Sequence, residues 1–247
     1  MSERFFIEPP ITGDRALLTG SEVHHLAGVM RAKVGDEITL FDGSGCEFTG
    51  RIESLKKDRC ELAILGQSAL SREPPLAIAA GVALPKGDRQ KWLVEKLTEL
   101  GVAELVPLLT QRGVVQPGDQ AAARLRRSVI EASKQCGRNH LLNISAPREA
   151  TEWFSSVPAN LIRLLADPGG EPVANLRTEI GSFPNNSQIL LAIGPEGGFT
   201  AAEVAAARAA GWRAVSLGAS ILRIETAAIA LAASCLVLAP PSLEKLE

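Results

Sequence analysis

The sequence has little of what many catalytic centres are built from. It contains three histidines in 247 residues, and its four cysteines, Cys46, Cys60, Cys136 and Cys235, are scattered without C-x-x-C spacing. A metal site is therefore not expected. Unpaired thiols fit a reducing, cytoplasmic setting. No nucleophile–histidine arrangement stands out. No apolar run has transmembrane length with suitable flanks, and the N-terminus lacks a signal-peptide pattern, so no membrane partner is expected. Charge of one sign is lacking too. Lys and Arg number 26 against 28 Asp and Glu, a net of −2, which does not advertise nucleic-acid binding. The distribution is less even. Residues 84–140 carry ten basic and six acidic side chains, whereas residues 1–73 carry nine and twelve, and residues 141–247 seven and ten.

What the sequence does have is a pair of loops near its C-terminus. The first follows the apolar run Ile189–Ile193 and reads Gly194-Pro195-Glu196-Gly197-Gly198-Phe199-Thr200. A continuous apolar run fits a strand covered on both faces. Thr200 and Glu203 have capping-box spacing, and the helix they open ends at Gly211. A glycine turn before a capped helix exposes N–H groups that suit a ligand. The turn is neither G-x-G-x-x-G nor G-x-x-x-x-G-K-[ST], so neither a dinucleotide fold nor a P-loop is indicated. Alone it reads first as a tight strand-to-helix turn with no ligand. The second loop follows Ala214–Leu217 and reads Gly218-Ala-Ser-Ile221-Leu222-Arg223-Ile224-Glu225-Thr226-Ala227. Its polar knot, Arg223, Glu225 and Thr226, precedes an almost wholly apolar helix through Leu238. A charged pair at the mouth of a buried helix needs partners, and a salt bridge between Arg223 and Glu225 is the plain expectation.

Together, Gly-Pro-Glu-Gly-Gly-Phe-Thr and Leu-Gly-x-x-Ile-Leu-Arg-x-Glu-Thr-Ala resemble the C-terminal half of SPOUT methyltransferases. They resemble more closely the RsmE-type family, which methylates N3 of a uridine in 16S ribosomal RNA. Ala219, Ser220 and Ile224 depart from the residues common in that family. The resemblance implies a C-terminal SPOUT-type α/β domain with a trefoil knot and a mainly parallel sheet, preceded by a small PUA-like β-barrel. It implies S-adenosyl-L-methionine as cofactor, 16S ribosomal RNA of the small ribosomal subunit as substrate, and a homodimer. The knot would thread the segment after Gly218 through the loop preceding it. A SPOUT enzyme acting on another ribosomal or transfer RNA base, and a non-catalytic RNA-binding protein, are the alternatives.

Along the chain, residues 1–70 read as the barrel. Arg4–Ile7, Glu37–Phe41, Cys46–Ser54 and Cys60–Leu65 are short strands, joined by turns at Asp42–Gly45 and Lys56–Asp58. Ser21 is a candidate cap for a helix through Arg31. His24 and His25 lie about 100° apart on such a helix, which predicts one buried and one surface ring rather than shared ligands. Ser71–Pro75 is the linker. From Leu76 to the end, strands and helices alternate as an α/β domain does. Asp88 is a candidate cap for the helix to Leu100. Lys96 and Glu99 match the family or form an ordinary i,i+3 pair. Arg124, Arg127, Glu131, Lys134 and Arg138 form a stripe on the helix from Gln120 to Gly137, usually just a solvated face. Leu161–Ala166 is a strand ending at Asp167-Pro168-Gly169-Gly170. A helix from Pro172 to Ile180 and a turn at Pro184–Asn186 follow.

The resemblance assigns roles. Arg223 is expected to stabilise charge on the acceptor, with Glu225 orienting it. Leu165, Gly194, Pro195, Glu196, Gly197, Gly198, Leu217, Gly218, Ile221, Leu222, Thr226 and Ala227 are expected around the cofactor. Arg4, Arg31, Lys86, Arg127, Lys134 and Arg138 are expected to meet RNA.

Overall fold

A computed structural model of the chain describes residues 4–115, 119–156, 161–184 and 187–239. It divides into two units. One holds residues 1–73 together with 130–141, and the other holds 74–129 and 142–247.

The first unit contains β1 (Arg4–Phe6), β2 (Arg15–Thr19), α1 (Ser21–His24), β3 (Glu37–Phe41), β4 (Glu47–Leu55) and β5 (Arg59–Ser68). A π-turn over His25–Val29 continues α1. The strands form one curled sheet in the order β1-β3-β4-β5-β2. Only β1 and β3 run parallel. Alternation along the strands sends Phe5, Leu18, Leu40, Ile52 and Leu62 into one core with Leu26, as a half-buried sheet requires. Strand β2 has no counterpart in the sequence reading. Gly20, not Ser21, occupies the cap position of α1. His24 is exposed and His25 half-buried, so the expected burial of one ring is only partly met.

The second unit begins with β6 (Ala77–Val82), α2 (Arg89–Glu99) and β7 (Glu104–Leu109). Helix α3 (Asp119–Cys136) runs across the division, which falls between Val129 and Ile130. Then come β8 (Asn143–Ile144), β9 (Arg148–Glu149), α4 (Ala150–Ser155), β10 (Ile162–Pro172), α5 (Arg177–Gly181), β11 (Gln188–Ile193), α6 (Ala201–Ala209), β12 (Arg213–Ser216) and α7 (Ile224–Leu238). The sheet order is β12-β10-β11-β6-β7-β8, with β9 also on β7, and every pairing is parallel. The apolar runs at β6 and β11 are buried on both faces, as helix-covered parallel strands are. Gly81 in β6 leaves room for Trp153: a Cβ there would lie 2.5 Å from the indole, so a strand glycine marks a close approach. Asp88 precedes α2 without a side-chain capping bond. Asn185 and Asn186 of the expected turn lie outside the described residues.

Two differences from the sequence reading affect function. Residues 130–141 belong to the first unit, not the second. Strand β10 does not stop at Ala166. It continues to Pro172 across a register shift between Ala166 and Glu171. The turn-forming residues Asp167–Gly170 are that irregularity, an interruption within one strand.

Candidate active site

The irregularity within β10 and the C-terminal ends of β11 and β12 deliver three segments to one cavity of about 300 Å³. Ligands of open parallel sheets bind at such strand ends. From β10 come Ala166, Asp167 and Pro168. From β11 come Ile193 and the turn Gly194–Gly198. From β12 come Val215, Leu217, Gly218, Ser220, Ile221 and Leu222, with Ile224 and Ala227 of α7 completing the lining.

Local chemistry sets the first turn. Gly194 packs under Phe199, and a Cβ at Gly194 would stand 3.0 Å from the ring and 3.1 Å from the Phe199 nitrogen. Phe199 is held in turn by Phe154 at 5.6 Å between centroids, and Phe154 by Trp212 at 5.2 Å. Such aromatic pairs add about 0.5–1.5 kcal/mol each beyond their buried area. The end of the turn is thereby tied to the core. Thr200 and Glu203 form the expected capping box on α6. Buried Glu203 also accepts a hydrogen bond from the Gln111 backbone N–H at 2.9 Å. Arg112 donates to the Gly197 carbonyl at 2.7 Å. The second loop turns at Gly218, whose φ of 123° lies in the region that favours glycine.

The polar lining has one sign. Asp167 and Glu196 line the cavity, and among the described residues no lysine or arginine does. Asp167 Oδ1 accepts from the Gly169 N–H at 2.7 Å. Glu196 is held below the usual carboxylate range, first by its own backbone N–H, then by Arg89 and Lys86, against the opposing effect of burial. An acidic, otherwise apolar cavity with exposed backbone groups suits a cationic organic ligand. It does not suit a phosphate. S-adenosylmethionine, with a sulfonium, an ammonium and a flat adenine, fits that lining.

Most expected cofactor residues converge. Gly194, Pro195, Glu196, Gly197, Gly198, Leu217, Gly218, Ile221, Leu222 and Ala227 all line the cavity. Leu165 and Thr226 do not: Leu165 is buried in the core and Thr226 faces solvent. Ala166, Asp167, Pro168, Ile193, Val215, Ser220 and Ile224 also line the cavity and were not among the residues assigned to the cofactor.

The expected Arg223–Glu225 pair is absent among the described residues. Arg223 is exposed at the N-cap of α7 and its guanidinium makes no hydrogen bond or ion pair there. Glu225 is buried, and its charge partner is Arg89, with Nη1 3.5 Å from Oε2. The same guanidinium reaches Glu196 Oε1 through Nη2 at 3.1 Å. Helix geometry explains the correction: residues two apart point to different sides. Lys96 and Glu99 pair with each other at 2.7 Å, the surface alternative.

The basic residues expected at RNA divide. Arg31, Lys86 and Arg127 are exposed. Arg4 is 9% exposed. It donates to the Ser133 carbonyl at 2.9 Å and to Asn139 Oδ1, sits 3.4 Å from Glu47, and lies over the Phe41 ring. Burial lowers its pKa, with Glu47 opposing. Arg138 is buried against Glu73 at 2.6 Å. Lys134, mostly covered, pairs with Glu22 at 2.9 Å. These three cations are occupied inside the first unit, so the structure presents none of them as a free surface charge.

The chain is similar to known proteins over most of its length. Residues 72–236 match the model of an RNA methyltransferase domain, and residues 18–65 match that of an RNA methyltransferase PUA domain. A ribosomal RNA small subunit methyltransferase E from Synechocystis is 33% identical over 230 residues, covering 92% of this chain and 75% of that protein. One from Bacillus subtilis is 30% identical over 217 residues, covering 85% of each. The crystal structure of a ribosomal RNA small subunit methyltransferase E from Neisseria gonorrhoeae bound to S-adenosyl methionine superposes with a TM-score of 0.86. It is 32% identical and covers 97% of this chain and 98% of that one.

Proposed function

We propose that this chain, which belongs to the ribosomal RNA small subunit methyltransferase E family, uses S-adenosylmethionine to methylate small-subunit 16S ribosomal RNA at N3 of a uridine. The observation that carries the reading is the acidic, glycine-walled cavity between the irregularity of β10 and the ends of β11 and β12. Bound there, S-adenosylmethionine supplies an electrophilic methyl group on a sulfonium. The chain's own task is then to hold and to orient. The turns at Gly194–Gly198 and Leu217–Leu222 offer backbone donors and acceptors to an adenine, and their apolar side chains exclude water from it. Asp167 and Glu196 complement the sulfonium and ammonium charges. Proximity supplies much of the rate in such a transfer.

Uridine N3 carries a proton in its neutral form. As that proton leaves, negative charge spreads to the flanking carbonyl oxygens. Arg223, exposed and not engaged by any described neighbour, suits that charge. Glu225, tied to Arg89, is read as structural rather than as a base. Arg31, Lys86 and Arg127 are the basic residues we assign to RNA phosphates. The knot implied by the resemblance, with the segment after Gly218 passing through the loop before it, belongs to the same reading, as does a cytoplasmic location. No helix among the described residues is long and apolar enough to cross a membrane. A homodimer through α7 is also part of the proposal. One face of that helix is buried by Ala228, Leu231, Ala232 and Cys235, while Val237 is 83% exposed. A folded, active monomer in sedimentation would remove the dimer from the account.

The test is transfer of labelled methyl to small-subunit particles, followed by mapping of the modified base. N3 methylation blocks the pairing edge, so a reverse-transcription stop at a uridine is expected. Label on another base would overturn the uridine-N3 reading. No incorporation would favour a binding protein.

A further inference from the structure

Arg89 opens α2, away from both loops in sequence, yet its guanidinium meets a carboxylate from each wall of the cavity. Nη2 lies 3.1 Å from Glu196, which lines the cavity on the Gly194–Gly198 turn. Nη1 lies 3.5 Å from Glu225 in the first turn of α7, whose neighbours Ile224 and Ala227 line the same cavity. The Glu225 side chain is only 5% exposed, and its Oε2 has no hydrogen-bond partner among the described residues. A buried carboxylate keeps its charge only when a counter-charge compensates it. Among the described residues Arg89 is the ion-pair partner that does so. A guanidinium is also the group suited to span two acceptors, because its donors form a rigid planar fork, whereas an ammonium is a single point charge.

We propose that Arg89 is a positioning residue of the active site: it ties the Gly194–Gly198 turn to the start of α7 and so sets the width of the cofactor cavity. The tie extends to Arg223, because the same first turn of α7 carries it at its N-cap. Arg89 itself does not line the cavity, so its effect is transmitted through Glu196 and Glu225. Only the identity of the ligand rests on the function proposed above.

The test compares the full-length chain with Arg89→Ala, Arg89→Lys and the double variant Arg89→Ala/Glu225→Gln. Three quantities are read: amide hydrogen exchange of residues 194–200 and 217–226 without ligand, affinity for S-adenosylhomocysteine by calorimetry, and melting temperature. Arg89→Ala is expected to speed exchange in both segments and weaken affinity about tenfold or more, the scale of charged hydrogen bonds lost. Arg89→Lys, with one ammonium, restores the melting temperature more fully than the affinity. The double variant removes the uncompensated buried charge. It is expected to regain stability while its affinity stays weak, because Glu196 remains untethered. If Arg89→Ala folds poorly, the Lys and double variants still decide the matter. Wild-type exchange and affinity in Arg89→Ala would overturn the proposal. So would affinity returning with stability in the double variant, since Arg89 would then serve only to neutralise Glu225. A wild-type chain that binds no adenosyl ligand would instead sink the proposed function, while the ligand-free exchange comparison would still decide the bridge.

Discussion

Arg223 and Glu196 show how far a single side chain's surroundings define its work. Arg223 stands exposed at the N-cap of α7, free of the carboxylate two residues on. Arg223→Ala is therefore expected to lower kcat by about 10²–10³, the usual effect of removing one donor to developing charge, and to leave cofactor affinity unchanged. Equal losses in both, measured by single-turnover rates beside calorimetry, would refute the role. Glu196 behaves differently. Its carboxylate is held below its ordinary 4.5, so its contribution is full above that value and is lost as pH falls through the lower, folded one. The advantage of wild type over Glu196→Gln in folding stability, read as melting temperature against pH, is expected to be flat down to about pH 5 and to shrink below. It should be modest, because the side chain is half exposed and screened. A loss centred near neutrality would implicate another group. Neither pairing of Arg89 was legible in the sequence. An ion pair between α2 and the start of α7 leaves no local pattern, whereas the neighbouring Arg223–Glu225 pair looked plausible only because the two are close along the chain.

At the scale of elements, the most legible features were those enforced within a few residues. Thr200 and Glu203 predicted the start of α6, and the structure shows both reciprocal bonds. Thr200→Ala should cost about 1 kcal/mol, the usual value of a cap, or about 2–4 °C in Tm for a chain of this size. Thr200→Ser, which keeps the hydroxyl, should melt close to wild type. Indistinguishable melting of the Ala variant would show that the core contacts of Phe199 carry this junction alone. The apolar strands β6 and β11 were legible for the same local reason. Strand β10 was not, because Asp167-Pro168-Gly169-Gly170 reads as a terminating turn. Only pairing with β12 on both sides of the irregularity keeps the strand going. Strand β2 was missed because Arg15–Thr19 is mostly exposed, so it lacks a clear buried alternation.

For the whole molecule, residue order hid the division into units. Residues 130–141 lie just past the middle of the sequence but belong to the first unit, where Arg4 binds Ser133 and Asn139. Charge counting placed the basic character in the middle of the chain, yet burial then removed Lys134 and Arg138 from the accessible set. What remains gives a quantitative expectation. Replacing Arg127 with Ala should reduce the slope of log affinity against log salt for the RNA substrate by about one, as should replacing Lys86. An unchanged slope would mean that neither meets a phosphate. The part of the cavity lining that the two loops contribute was largely legible, because both carry dense motifs and the glycines have steric reasons to be there.

The most direct measurement is the crystal structure of this chain with S-adenosylmethionine. The ligand is expected between the Gly194–Gly198 and Leu217–Leu222 turns, its sulfonium and ammonium toward Asp167 and Glu196, and Arg223 facing the open side where an acceptor enters. Ligand bound elsewhere, with that cavity left to solvent, would contradict this reading.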